Sequence, residues 1–288
     1  MTVIAMTREM GTLGKEVAAQ VAEELDVKVV HHELVERHVA ERMDISEHTV
    51  HRFLEGEASM WDRWNIDARQ ISAYTSEEIL NLALGGDVLI RGWGAAQLLA
   101  DVGHVLCVRV CAPMDFRVAE MRQRLRIDDD DQEYPRGADR GDDWHIRQEI
   151  EHSDEAHDRA VRSTLRRDWR DPLGYHLVLN TGITPIPAAT EAVLTLARAP
   201  EFQETPATRA RLTDKLTLSR VRSMLRDSAV LPRHGGGIEL SISEGIVTAR
   251  GLLTQDIKVD AVLDAIGQVE GVREVRNAVQ QVAFAYGP

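Results

Sequence analysis

The sequence predicts an α/β protein: a doubly wound parallel sheet with helices on both faces, followed by a small α+β module. Three observations lead there. Short apolar runs alternate with amphipathic helical stretches through about residue 199. The chain opens on an apolar strand that breaks at a glycine-containing turn and restarts as a helix. The charge then changes character near residue 200. Residues 1–200 carry 23 basic against 36 acidic side chains, whereas residues 201–288 carry 11 of each, so the first part holds the whole excess of −13.

Taken in order, Val3–Met6 is the first strand. Lys15–Leu25 follows as a helix with Val17, Ala18, Val21, Ala22 and Leu25 on one stripe. Val27–Val30 is a short second strand, with His31-His32-Glu33 at its end and a helix running on to about Arg42. Residues 44–75 read as helical and polar, anchored by Phe53, Leu54, Trp61 and Trp64. Ser76–Ala83 reads as a helix with Ser76 as its N-cap. Asp87–Ile90 is a strand ending in Arg91-Gly92-Trp93-Gly94, and Ala95–Ala100 is a short helix. Val105–Val110 is continuously apolar, as strands buried on both faces are. Met114–Leu125 is a helix, and the charged stretch Ile127–Asp143 reads as a mobile segment. A helix from Ile146 to about Arg167, a strand at His176–Asn180 and a helix at Pro187–Ala199 close the domain.

The expected division is 1–199 for the large domain, 200–208 for a linker and 209–288 for the small one. The small one reads as a helix from about Ala207 to Arg226, strands Ile238–Ile242 and Ile246–Leu252 around a Glu244-Gly245 turn, then a helix Ile257–Val269. Strand-like runs Val272–Val275 and Val279–Phe284 end it.

Bulk composition narrows the function. A hydrophobic share of 43% supports a sizeable core. The acidic body argues against nucleic acid as a partner, because phosphate backbones need basic surface. No apolar run is long enough to cross a bilayer and no leader is visible, so a cytoplasmic location is expected. Cys107 and Cys111 are four apart on one strand, which suits reduced core thiols better than a disulfide.

The chemistry collects at strand ends. Thr7-Arg8-Glu9-Met10-Gly11-Thr12-Leu13-Gly14-Lys15-Glu16 joins a strand to a helix in the manner of a P-loop. Backbone N–H groups without helical partners and the helix dipole favour an anion there, and a lysine reaches the outer phosphates. Glu9 stands where the full pattern has its first glycine, and Glu16 stands where it has a hydroxyl. His31, His32, Glu33 and His38 could form a metal cluster, but nothing completes it, and an exposed helix face is the better reading, with no metal site expected. Asp128–Asp131 reads as a solvated run rather than a Mg²⁺ site. Trp93 either stacks on a base or packs.

The first 200 residues resemble the cytidylate kinase-like family of P-loop kinases. The resemblance rests on the opening Ile4–Ala18 segment, Arg91-Gly92-Trp93-Gly94-Ala95-Ala96, and Val108–Pro113 with Arg117 after it. It extends to Asp168-Trp169-Arg170-Asp171-Pro172 and Tyr175–Thr181. The C-terminal module resembles a BON domain through Gly245–Gly251 and Gly271-Val272-Arg273-Glu274-Val275-Arg276-Asn277.

The resemblance implies phosphoryl transfer from ATP, with Mg²⁺, to CMP or a related monophosphate. Gly11, Thr12, Leu13, Gly14, Lys15 and Glu16 would form the donor cradle. Lys15, Arg117, Arg122 and Arg126, with Arg124 beside them, would stabilise charge on the transferring group. His31, Glu33, Arg91, Trp93, Asp154, His157 and Arg159 would face the acceptor. The chain departs from the family pattern at His31, where an acidic residue is usual, and at Trp93, which replaces an arginine. It departs again at His157, three residues after Asp154, where a second arginine is usual. A competing expectation is therefore a nucleotide sensor without turnover, whose BON-like tail binds a membrane surface or a protein partner. A third makes the tail an oligomerisation module.

Overall fold

In the computed structural model the described residues are 1–54, 68–92, 94–131, 142–228, 236–254 and 257–282; the side chains of His32, Glu33, Ala68, Arg69 and residues 126–131 are outside the description. The chain forms two compact units. The first comprises Met1–Ala68 and Gly85–Glu204, the second Arg69–Leu84 and Thr205–Pro288. A segment of the expected large domain thus folds with the C-terminal unit.

The first unit is built on five parallel strands: β1 (Val3–Arg8), β2 (Lys28–Val30), β3 (Val88–Arg91), β4 (Val105–Cys111) and β5 (Leu177–Asn180), in the order β2-β3-β1-β4-β5. Val3 to Met6 and Val105 to Val108 are buried, as the continuous apolar runs require of central strands. Helices α1 (Gly14–Leu25), α2 (His32–Met43) and α3 (Glu47–Leu54) follow β1 and β2. Val17, Ala18, Val21 and Ala22 of α1 pack with Ala189, Val193, Leu194 and Ala197 of a later helix on one face of the sheet. The order reverses around β1, and the carboxyl ends of β1, β3 and β4 open at that switch point, where open α/β sheets bind ligands.

Helix α4 (Ala68–Gly85) begins well before Ser76, so Ser76 is not its cap. Its hydroxyl donates to the Ser72 carbonyl at 2.8 Å, one turn back within the helix. The short α5 (Ala95–Leu99) lies on β1 and β4. Helix α6 (Met114–Asp131) runs through the start of the charged stretch instead of stopping at Leu125, since extending a formed helix costs little. Helix α7 (Asp143–Leu165) starts at an Asp142 cap that accepts from Trp144 N at 2.6 Å and His145 N at 3.0 Å. Helix α8 (Ile186–Ala197) completes the unit. Trp61, Trp64 and residues 132–141 lie outside the described residues.

The second unit adds α9 (Pro206–Asp227), β6 (Gly236–Ser243), β7 (Ile246–Thr254), α10 (Val259–Gly267) and β8 (Glu274–Val282). β6 and β7 form an antiparallel hairpin, and β8 joins β7 in parallel after the α10 crossover. Within the described residues the two expected strand fragments at its end fall on one continuous strand, β8, while residues 283–284 of the second lie outside the described residues. Val247, Ala249, Leu253, Val262 and Ile266 form its core with Val221 and Leu225 of α9. The buried Asp214 accepts from Glu244 N and Gly245 N, both at 2.8 Å, and so fixes the hairpin turn. Along the face of α9, Tyr74 and Gln70 of α4 bond Asp227, and Arg220 meets Glu77 and Asn81, an antiparallel helix pair.

Candidate functional site

Residues Glu9–Leu13 carry the chain from β1 into α1. Glu9 N donates to Val110 O at 3.0 Å, Thr12 N to Glu9 O at 3.3 Å and Thr12 Oγ1 to Glu9 O at 2.8 Å. Gly11 has φ +75, and a Cβ there would stand 2.7 Å from the Arg117 carbonyl oxygen, so only glycine fits. Leu13 is the N-cap of α1 and supplies no side-chain cap. The first-turn N–H groups of α1 therefore have no helical acceptor, and the Gly11 N–H has none among the described residues. Lys15 is exposed and makes no ion pair among the described residues. The loop thus presents unpaired donors and one open cation, the requirements of an anion cradle. Glu16 places Oε1 3.1 Å from Arg124, while its Oε2 is shielded and unpartnered.

Behind the loop lies a network of arginines and carboxylates. The buried Arg109 of β4 donates to Glu9 Oε1 at 2.6 Å and to Arg170 O at 2.5 Å. Arg117 of α6, also buried, donates Nε to Met10 O at 2.6 Å and both terminal nitrogens to Asp154 at 2.8 Å, and stands 3.5 Å from Glu9 Oε2. Arg124 reaches Thr12 O at 3.1 Å, and Arg122 pairs with Asp143. The Met10 side chain packs into the apolar seam between α6 and α7, with Val118, Ile146 and Ile150. Cys111, half-buried, lies beside this network. Burial pushes its thiol up, and Glu9 adds to that push while Arg109 and Arg117 oppose it.

A less charged cluster adjoins it. Trp169, 1% exposed, has Arg109 5.1 Å from its ring centroid and His157 edge-on at 4.5 Å. Burial pushes the His157 imidazole down to about 4, against the pull of Asp154 and Asp158, and leaves it neutral at physiological pH. Tyr175 Oη donates to Trp169 O at 2.6 Å and bonds Gln97; burial raises its hydroxyl to about 12.

The expected residues divide accordingly. Gly11, Thr12, Leu13, Gly14, Lys15 and Glu16 lie together on the loop and first turn, with Arg117 and Arg124 directly behind. Arg91 is buried at the end of β3, opposite Met6 of β1. Asp154 and His157 face the network, the first gripping Arg117. Arg159 is exposed and pairs with Glu155 on its own helix, so it is turned from them. His31 is exposed as the N-cap residue of α2, and His38 is exposed too; among the described residues no group of three metal-ligating side chains forms. Trp93, and the side chains of Glu33 and Arg126, lie outside the described residues. Sequence reasoning missed the part of Arg109 and Trp169, and the pairing of Glu9 and Arg117. The signal was an arginine inside the apolar strand Val105–Cys111, since arginine is almost never buried unpaired.

A parallel α/β sheet with an uncapped, lysine-bearing strand-to-helix turn at its switch point defines the class: a P-loop kinase type of fold. The model of the cytidylate kinase-like family matches residues 3–183, and the chain belongs to that family. Among solved structures, an uncharacterized protein from Eubacterium ventriosum is 17% identical over 68% of this chain and 97% of its own, with a TM-score of 0.50. Shikimate kinase from Bacteroides thetaiotaomicron is 18% identical over 69% of this chain and 99% of its own, at a TM-score of 0.40. Shikimate kinase from Acinetobacter baumannii, solved with shikimate, is 13% identical over 68% and 92%, at 0.38. A search of the curated proteins finds no match.

Proposed function

We propose that the protein is a nucleotide-binding phosphotransferase of the cytidylate kinase type, taking ATP as donor and CMP or a related monophosphate as acceptor. The observation that carries it is the uncapped N-terminus of α1 beside the open Lys15. The donor phosphates would lie against the Gly11 N–H and the first-turn N–H groups of α1, and Lys15 would neutralise their outer charge. The residues fit a magnesium nucleotide: the unpartnered Glu16 Oε2 is the hard oxygen that Mg²⁺ takes beside phosphates, in the place where a hydroxyl is missing. Bound Mg²⁺ would supply charge neutralisation between the phosphates. Arg91, His157 and Trp169 lie nearest the acceptor in this reading, and the neutral His157 would serve as a hydrogen-bonding group rather than a charge.

A second reading has its own support. Arg109, Arg117, Arg122 and Arg124 are each engaged by a carboxylate of the protein. Arginines so engaged are withheld from a transferring phosphoryl group, which suits a nucleotide sensor. In either reading the C-terminal unit, with its α-β-β-α-β order, is BON-like, and a membrane surface or a protein is its partner. Among the described residues no helix is long and apolar enough to cross a membrane.

Calorimetry with ATP and CMP, followed by an assay for CDP, tests both. Binding with CDP formation that Lys15→Ala abolishes supports the transferase. Binding without turnover supports the sensor, and no binding of either nucleotide overturns both.

A further inference from the structure

We propose that Arg117 is a positioning residue for the phosphate loop, setting the direction in which the Gly11 N–H points. The inference deepens the nucleotide-binding reading and rests on it for the identity of the anion. Met10 O accepts from Arg117 Nε at 2.6 Å. The peptide bond between Met10 and Gly11 is trans and planar, so a carbonyl held on the α6 side turns the following N–H to the opposite side. That N–H has no acceptor among the described residues. Arg117 thereby spends its Nε on aiming one donor of the cradle.

Four further contacts make the arrangement rigid. Asp154 holds both terminal nitrogens of Arg117 at 2.8 Å, a bidentate grip that fixes the plane of the guanidinium. Gly11 lies against the Arg117 backbone closely enough to exclude a Cβ. The Met10 side chain is seated between α6 and α7. Arg124 holds the Thr12 carbonyl, two residues on, at 3.1 Å. Three of the five guanidinium N–H groups of Arg117, one from each nitrogen, are taken by the protein itself. Here Nε is on Met10 O and both terminal nitrogens are on Asp154, beside a second carboxylate, Glu9. The charge balances Asp154 and Glu9, and the planar fork aims the loop, a geometry that lysine cannot reproduce.

Met10-Gly11 is the one Met-Gly pair in the chain. Labelling methionine with ¹³C at the carbonyl and glycine with ¹⁵N therefore picks out the Gly11 amide of the full chain by its coupling. Its position is read free and during titration with ATP, in the natural chain and in Arg117→Lys, Asp154→Asn and Lys15→Ala. The expected result has two parts. Arg117→Lys displaces the Gly11 amide of the free chain and weakens ATP by about tenfold or more although the charge is kept; Asp154→Asn does the same to a lesser degree. Lys15→Ala weakens ATP without moving the free-chain amide. An unmoved Gly11 amide in Arg117→Lys overturns the proposal, and Asp154→Asn decides in the same way if the lysine variant does not fold. Should the natural chain take no ATP, the nucleotide reading falls, and the positioning role is still decided by the free-chain amide.

Discussion

The Glu9 carboxylate meets the Arg109 guanidinium at 2.6 Å, across the parallel pair β1 and β4, with side-chain exposures of 12% and 10%. The residue that breaks the glycine pattern of the phosphate loop is thus the counterion of a buried strand arginine. Glu9→Gly, which restores the P-loop pattern, is expected to destabilise the fold rather than improve the site. Removing one partner of a buried pair costs about 3–5 kcal/mol, because the other charge stays buried. Chemical denaturation checks this. Arg109→Met together with Glu9→Gln should recover part of the loss. A Glu9→Gly variant as stable as the natural chain would refute the account.

Lys15→Ala is expected to leave the fold intact, because Lys15 is exposed and forms no ion pair among the described residues. A hydrogen bond to a charged group contributes about 1.5–3 kcal/mol, so ATP affinity should fall by about ten- to a hundredfold. Calorimetry at two salt concentrations checks both the loss and its electrostatic origin, since screening weakens the natural chain more than the variant.

Glu16→Gln removes the charge from the one loop carboxylate with an unpartnered oxygen. If that oxygen serves Mg²⁺, the gain in ATP affinity on adding Mg²⁺ should shrink in the variant, while metal-free affinity stays level or rises. Manganese relaxation in the presence of ATP offers an independent readout. An unchanged Mg²⁺ effect removes Glu16 from the metal's surroundings.

How much of this was legible depended on how far apart in sequence the partners lie. The strand, turn and first helix could be read because Val3–Met6 and the Val17–Leu25 stripe are local patterns. Glu9 could not, because its partners are 100 and 108 residues away at Arg109 and Arg117. Ser76 was ambiguous in principle: the hydroxyl that caps a helix also bonds back to the carbonyl one turn earlier, as it does to Ser72. β8 reads as two pieces since, as an edge strand, it buries little and only its inward Val275 and Val279 join the core. Arg159 looked near the site by number, yet two positions along a helix turn a side chain to the far face, where Glu155 meets it.

His157 sets an acid limit on stability. Its imidazole is held at about 4 in the fold against an ordinary 6.5, so between these values the unfolded chain binds the proton and the folded chain does not. Stability is then complete above about pH 6.5 and falls as the pH drops toward 4, by on the order of 3 kcal/mol for this group. Urea unfolding at pH 7, 5.5 and 4.5 should show the natural chain losing more than His157→Gln over that span. Parallel curves would mean that the ring titrates normally.

Asp227 ends α9 and binds two residues of α4, Tyr74 through its hydroxyl at 2.6 Å and Gln70 at 2.9 Å. Because Arg69–Leu84 folds with Thr205–Pro288, the second unit is not a tail that can be cut away. Tyr74, 6% exposed, loses a charged acceptor in Asp227→Ala, which should cost about 1.5–3 kcal/mol. A double-mutant cycle with Tyr74→Phe should return most of that as coupling, since the hydroxyl and the carboxylate share one bond. A chain ending at Glu204 goes further: α4 keeps its apolar Ile71, Ile79 and Leu80 but loses the unit it folds with. Such a chain should bind a hydrophobic dye and associate in light scattering, the opposite of what a detachable oligomerisation module predicts. A truncated chain that stays monomeric and does not bind the dye would show that α4 folds without the C-terminal unit.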